Sequence, residues 1–194
     1  MLASIHPLGE RARERRWEVT VGAYLLGSTL AAALLGAALG GVGLLLPLTP
    51  GATAGLVVAA GALALAADLG AFRLPTIHRQ VDKDWLDRYR GWVVGLGFGF
   101  QLGLGVVTIV NTAAVSLTLV LALLSGSVTA GAVIGTTFGL VRALVILVVA
   151  PVRRPDQLRL ALRRMHSWRS LSPRAGIAVQ ALFLVAAGAV AIAH

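Results

Sequence analysis

The sequence predicts an all-α, polytopic transmembrane helix bundle of about five spans, the third of them long and broken. Three observations predict it. Hydrophobic residues make up 57% of the 194, and the mean hydropathy is +0.84. Charged residues are 13% of the chain, against roughly a quarter in a soluble domain. The charges are also segregated, with no Asp, Glu, Lys or Arg in 19–46, 47–67, 91–141 or 175–194. An uncharged, apolar run of about 18 residues or more crosses about 30 Å of hydrocarbon as a helix. Four or five such runs leave too little polar surface for a shell facing water.

The positions of the basic residues order these runs into one membrane domain covering residues 1–194. Arg11, Arg13, Arg15 and Arg16 precede the first run, and Arg73, Arg79, Lys83, Arg88 and Arg90 form a second group. Arg142, Arg153, Arg154, Arg159, Arg163, Arg164, Arg169 and Arg174 form the third. The linkers 47–51 and 125–127 carry none, so the positive-inside rule puts the basic segments in the cytoplasm and the bare linkers outside. The expected spans are 19–46, 52–72, 91–124, 128–150 and 175–193, with cytoplasmic loops 73–90 and 151–174 and a cytoplasmic N-terminal segment 1–18. Trp17, Trp85, Trp92 and Trp168 all fall at the cytoplasmic boundary, where indoles prefer to sit. Residues 1–18 do not read as a cleaved signal, because the run that follows far exceeds a signal's apolar core. Arginine in place of lysine, with abundant Ala, Gly, Val and Leu, points to a GC-rich bacterium and hence to the plasma (inner) membrane.

Span three is too long. Its 34 residues would make a continuous helix of about 51 Å in a core of about 30 Å. Dividing it into two crossings would leave a second piece too short to span and would send the arginine-rich loop outside. A single crossing interrupted near 108–112, around Asn111, avoids both consequences. The alternative is one strongly tilted helix that protrudes.

The segment 156–171 reads as an amphipathic helix. Leu158, Ala161, Leu162, Met165 and Trp168 recur at helical spacing, and arginines fill the other face. Such a helix lies in the interface, with Arg159, Arg163, Arg164 and Trp168 contacting anionic headgroups. Segment 76–90 repeats the theme, its Asp82, Asp84 and Asp87 interleaved with basic residues, either as a self-paired solvated face or as a docking surface for a membrane-protein partner.

Within the spans, glycines recur every four residues at Gly91, Gly95, Gly99 and Gly103, and again at Gly131, Gly135 and Gly139. That spacing lets helix backbones approach closely. Polar residues at depth are few: Asp68, Gln101, Thr108, Asn111, Thr112, Ser116, Thr136, Thr137, Arg142 and Gln180. Ionisable groups there cost about 2.5–3.5 kcal/mol on insertion scales, so Asp68 and Arg142 are expected either to form a structural ion pair or to snorkel separately. Gln101, Thr108, Asn111 and Thr112 either line a small substrate-binding cavity at the break or hydrogen-bond between helices.

Several chemistries are excluded. There is no cysteine, hence no thiol redox centre or thiolate metal site. His6, His78, His166 and His194 are scattered, without carboxylates at ligand spacing. No phosphate loop or nucleophile elbow occurs, so neither a catalytic residue, a metal nor a cofactor is expected. The net charge of +9 is the topological signal of a membrane protein and supports no nucleic-acid partner. Oligomerisation stays open.

The run 95–111, the apolar stretch to Leu124, the glycine-containing 135–149, the arginine-rich loop and a last span from Arg174 resemble the cytochrome c biogenesis transmembrane family (CcdA/DsbD type, of the LysE-like superfamily). The resemblance implies six helices in two inverted halves, with the five spans here matching helices two to six. The first helix of that family, with its proline and redox cysteine, has no counterpart, and 108–111 stands where a Pro-Cys motif would be. The function then expected is a small-solute transporter or a non-redox relative. The alternative is a non-catalytic accessory protein that recruits partners or anionic lipid through its basic segments.

Overall fold

A computed structural model describes residues 7, 10, 16–71, 89–105, 113–152, 154, 156, 157, 160, 163 and 171–193. They form six α-helices, and no strand is present among the described residues: α1 Trp17–Gly43, α2 Pro50–Asp68, α3 Gly91–Gly103, α4 Ala114–Leu124, α5 Val128–Leu144 and α6 Leu171–Ala193. α5 runs on into a 3-10 turn at Val145–Val149. α1, α2 and the stretch Val128–Val148 are each long and apolar enough to cross a membrane.

Local chemistry sets the ends. Thr49 is extended at the start of α2, and its hydroxyl accepts the Ala52 amide while Pro50 occupies the first turn. α2 closes through the Leu69, Gly70 and Ala71 amides bonding back to Leu65, Ala67 and Ala66 carbonyls, with Gly70 at φ +90. α3 stops at Gly103, and Gly105 turns the chain at φ +67. The next described helix begins at Ala114. The third span is therefore broken rather than one long tilted helix, although the expected centre of the break, 108–112, lies outside the described residues.

The chain divides into two units, 1–32 with 78–108 and 136–168, and 33–77 with 109–135 and 169–194. α1 and α5 each contribute to both.

In the first unit, Gly95, Gly99 and Gly103 of α3 lie against the Thr20, Tyr24 and Ser28 carbonyls of α1. The contacts advance four residues at a time on both helices, so α1 and α3 run parallel. Gly139 of α5 lies on the Ser28 carbonyl, and the Ser28 hydroxyl donates to the Gly139 carbonyl at 2.9 Å. Val21, Tyr24, Val94, Phe98, Leu102, Ala143 and Ile146 fill the core beside these contacts. Ser28→Ala should lower stability by about 1 kcal/mol, because the Gly139 carbonyl keeps its place in the helix ladder. Thermal unfolding in detergent micelles would show the drop, and an unchanged midpoint would remove this hydroxyl from the packing account.

In the second unit, Gly36 lies on the Gly131 carbonyl and Gly131 on that of Gly36. Gly40 meets Ser127 and Gly43 meets Leu123, so the numbers fall on α5 and α4 as they rise on α1. α1 and α5 are antiparallel. α2 packs on α4 and α6, with Ala64, Ala113 and Leu117 buried between them and Ala60, Ala67, Leu121 and Phe183 around them.

Many large side chains face outward. Leu26, Leu30 and Leu34 form an exposed stripe on α1, as do Val179, Leu182 and Val185 on α6. Glycine, alanine and serine occupy the contacts instead. Burying small residues while exposing leucine reverses the pattern of a protein in water and suits a bundle whose solvent is hydrocarbon.

Candidate functional site: a polar node at the interrupted span

Asp68 ends α2 and stands beside the point where α4 begins. Its Oδ1 accepts the Ala113 backbone N–H at 2.7 Å, and its Oδ2 accepts a bond from Gln180 Nε2 at 2.9 Å. Ala113 occupies the N-cap position of α4 and has no side chain able to cap it. The carboxylate of another helix supplies the missing acceptor. An anion at this end of a helix is favoured by the partial positive charge of the unpaired amides there. Gln180 reaches the node from the middle of α6, where it is 5% exposed. Its Oε1 is buried and has no hydrogen-bond partner.

The node thus ties together three helices of the second unit. Among the described residues of that unit, Asp68 and Arg174 are the only charged side chains, and Arg174 is exposed. Asp68 draws both donors, the Ala113 amide and the Gln180 carboxamide, from its own unit, whereas Arg142 belongs to the first unit. A helix start and a carboxamide satisfy a carboxylate without bringing a second charge into hydrocarbon. Arg142 lies over the Phe138 ring at 5.5 Å from its centroid, a cation–π distance.

The other residues singled out in the sequence fare unevenly. Gln101 lies on α3, half-buried, with Oε1 unpartnered. Thr108, Asn111 and Thr112, and with them the cavity expected around these four, lie outside the described residues. Arg163 is exposed, while Arg159, Arg164 and Trp168 also lie outside the described residues.

Three features had no clear sequence signal. Ala113 acts through its backbone, which any residue but proline would provide. Glu10 falls in the segment expected to be a cytoplasmic tail, yet it is fully buried and its Oε2 accepts the Thr20 hydroxyl at 2.7 Å. The third is a cavity of about 1030 Å³ within the second unit, lined by apolar groups including Leu48, Val57, Leu124 and Phe183, with Thr53 and Ser125 as its hydroxyls. No group of three or more His, Cys, Asp or Glu suited to a metal occurs among the described residues.

Comparison with known proteins changes the family expectation. The chain is 32% identical over 184 residues to methylamine utilization protein MauF of Methylophilus methylotrophus, covering 91% of this chain and 61% of that protein. It is 34% identical over 153 residues to the protein of that name from Paracoccus versutus, covering 76% and 56% respectively. The corresponding protein of Paracoccus denitrificans is 32% identical over 178 residues, covering 89% and 61%. The chain therefore spans about three fifths of the length of these relatives. No family model matches the chain, and no solved structure does. The resemblance to the cytochrome c biogenesis transmembrane family is thereby corrected, and with it the small-solute transporter or non-redox relative inferred from it. The alternative of a recruiting accessory protein draws no support from these relatives either.

Proposed function

We propose that this chain is a membrane-embedded, non-catalytic component of methylamine utilization, seated in the bacterial plasma membrane with its N-terminal segment in the cytoplasm. The similarity to the MauF proteins, which runs over as much as 91% of the chain, carries this reading. The segregation of basic residues into 1–18, 73–90 and 151–174 supports the orientation. The polar groups at depth support a framework role, because Asp68 and Ser28 are engaged in joining helices. The basic segment 151–174 would rest on anionic headgroups.

Deleting the coding sequence in the native host tests the proposal. Growth on methylamine as the source of carbon and nitrogen should fail, growth on succinate and ammonium should continue, and a plasmid copy should restore the first. Undiminished growth of the deletion strain on methylamine would sink the reading.

A further inference from the structure

The geometry points to a binding site for one small monovalent cation between Asp68 and Gln180, a site that stands independently of any role in methylamine utilization. A carboxylate offers about four lone-pair positions, and the Ala113 amide and Gln180 Nε2 occupy two of them at 2.7 and 2.9 Å. The Gln180 carboxamide is oriented by this contact. Its Nε2 faces the carboxylate, and covalent geometry keeps its Oε1, bonded to the same carbon, within a few ångströms of that carboxylate. That oxygen is buried on a residue only 5% exposed, and it receives no donor. Leaving such a buried acceptor unmet is unfavourable.

The charges around the node have the same deficit. The start of α4 supplies roughly half an elementary charge, and the Gln180 amide only a dipole. They offset part of the full negative charge on Asp68. Arg174, the one basic side chain among the described residues of this unit, is exposed on α6. A cation between Asp68 Oδ2 and Gln180 Oε1 would neutralise the remainder and meet the orphan oxygen in one step. The site has one carboxylate and one neutral oxygen, which suits a single positive charge. Calcium takes six to eight oxygens and magnesium a near-ideal octahedron, and no cluster of acidic ligands for either occurs among the described residues. Both an alkali metal ion, through its charge, and a primary ammonium ion, through its N–H donors, share the required chemistry.

The test is thermal unfolding of the full chain in detergent, followed by tryptophan fluorescence at constant ionic strength. Choline chloride serves as the background, because its quaternary head is too large and has no N–H. Sodium chloride or methylammonium chloride is then exchanged for it. The expected result is a saturable rise of several degrees in the midpoint with one or both ions. A sodium response alone assigns the site to a metal ion, and a methylammonium response alone to an ammonium. Asp68→Asn should abolish the rise. Gln180→Glu adds a second negative oxygen in place of the donor, so it should sharpen the response, with half-saturation at least tenfold lower. This variant decides the matter if Asp68→Asn does not fold. No response to either ion in the unmodified protein would overturn the proposal, as would a response that both substitutions leave unchanged.

Discussion

Gly36→Val should abolish the folded, monodisperse protein, while Gly55→Ala should leave it intact or slightly more stable. A Cβ at Gly36 falls on the Gly131 carbonyl oxygen, and one at Gly131 falls on that of Gly36. Neither obstacle is a side chain that could swing aside. Relief requires α1 and α5 to separate along a line that also includes Gly40 against Ser127. Overpacking a core typically costs about 1–3 kcal/mol, and backbone meeting backbone belongs at or above the top of that range. Lipid offers little compensation, because close van der Waals contact and not solvent exclusion holds such helices together. Gly55, by contrast, has nothing within 4 Å of the place a methyl group would take, and alanine there gains about 0.5–1 kcal/mol of helix preference. Size-exclusion profiles and unfolding midpoints in detergent distinguish the two. A Gly36→Val protein that melts with the parent would refute the packing described for the second unit.

Asp68→Ala should cost about 3 kcal/mol, combining a lost helix cap with two stranded donors. The Ala113 amide and Gln180 Nε2 would both face apolar surroundings, where Ala64 and Leu117 leave them no other acceptor among the described contacts. The damage should appear first at the start of α4. Hydrogen exchange followed by mass spectrometry would show lost protection in peptides covering 113–118, before any loss in α1. Equal protection in parent and variant would mean that the carboxylate does not pin this helix.

Much of the fold is legible in the sequence because membrane thickness is a ruler that composition can read. The expected span 19–46 becomes α1 at Trp17–Gly43, and the expected span 52–72 becomes α2 at Pro50–Asp68. The few residues of disagreement come from caps, since Thr49 with Pro50 starts α2 before the expected span does. The broken third span is legible from length alone. Which residue closes the break is not, because the donor at Ala113 is a backbone amide and its acceptor lies 45 positions away on another helix. Gln180 is visible as a polar residue at depth, but nothing in its neighbours names Asp68 as its partner. The family is misread for a related reason. Four-residue glycine spacing and an interrupted helix are what any close-packed bundle in lipid requires, so they identify a solvent and not a lineage.

The bonds that complete the molecule join distant parts of the chain. Ser28 waits 111 positions for Gly139, and Asp68 waits 112 for Gln180. At a synthesis rate of about 5–20 residues per second, the second interval lasts roughly 6–22 s. During that time the carboxylate has at most the Ala113 amide as a donor, and that amide itself follows Asp68 by 45 positions.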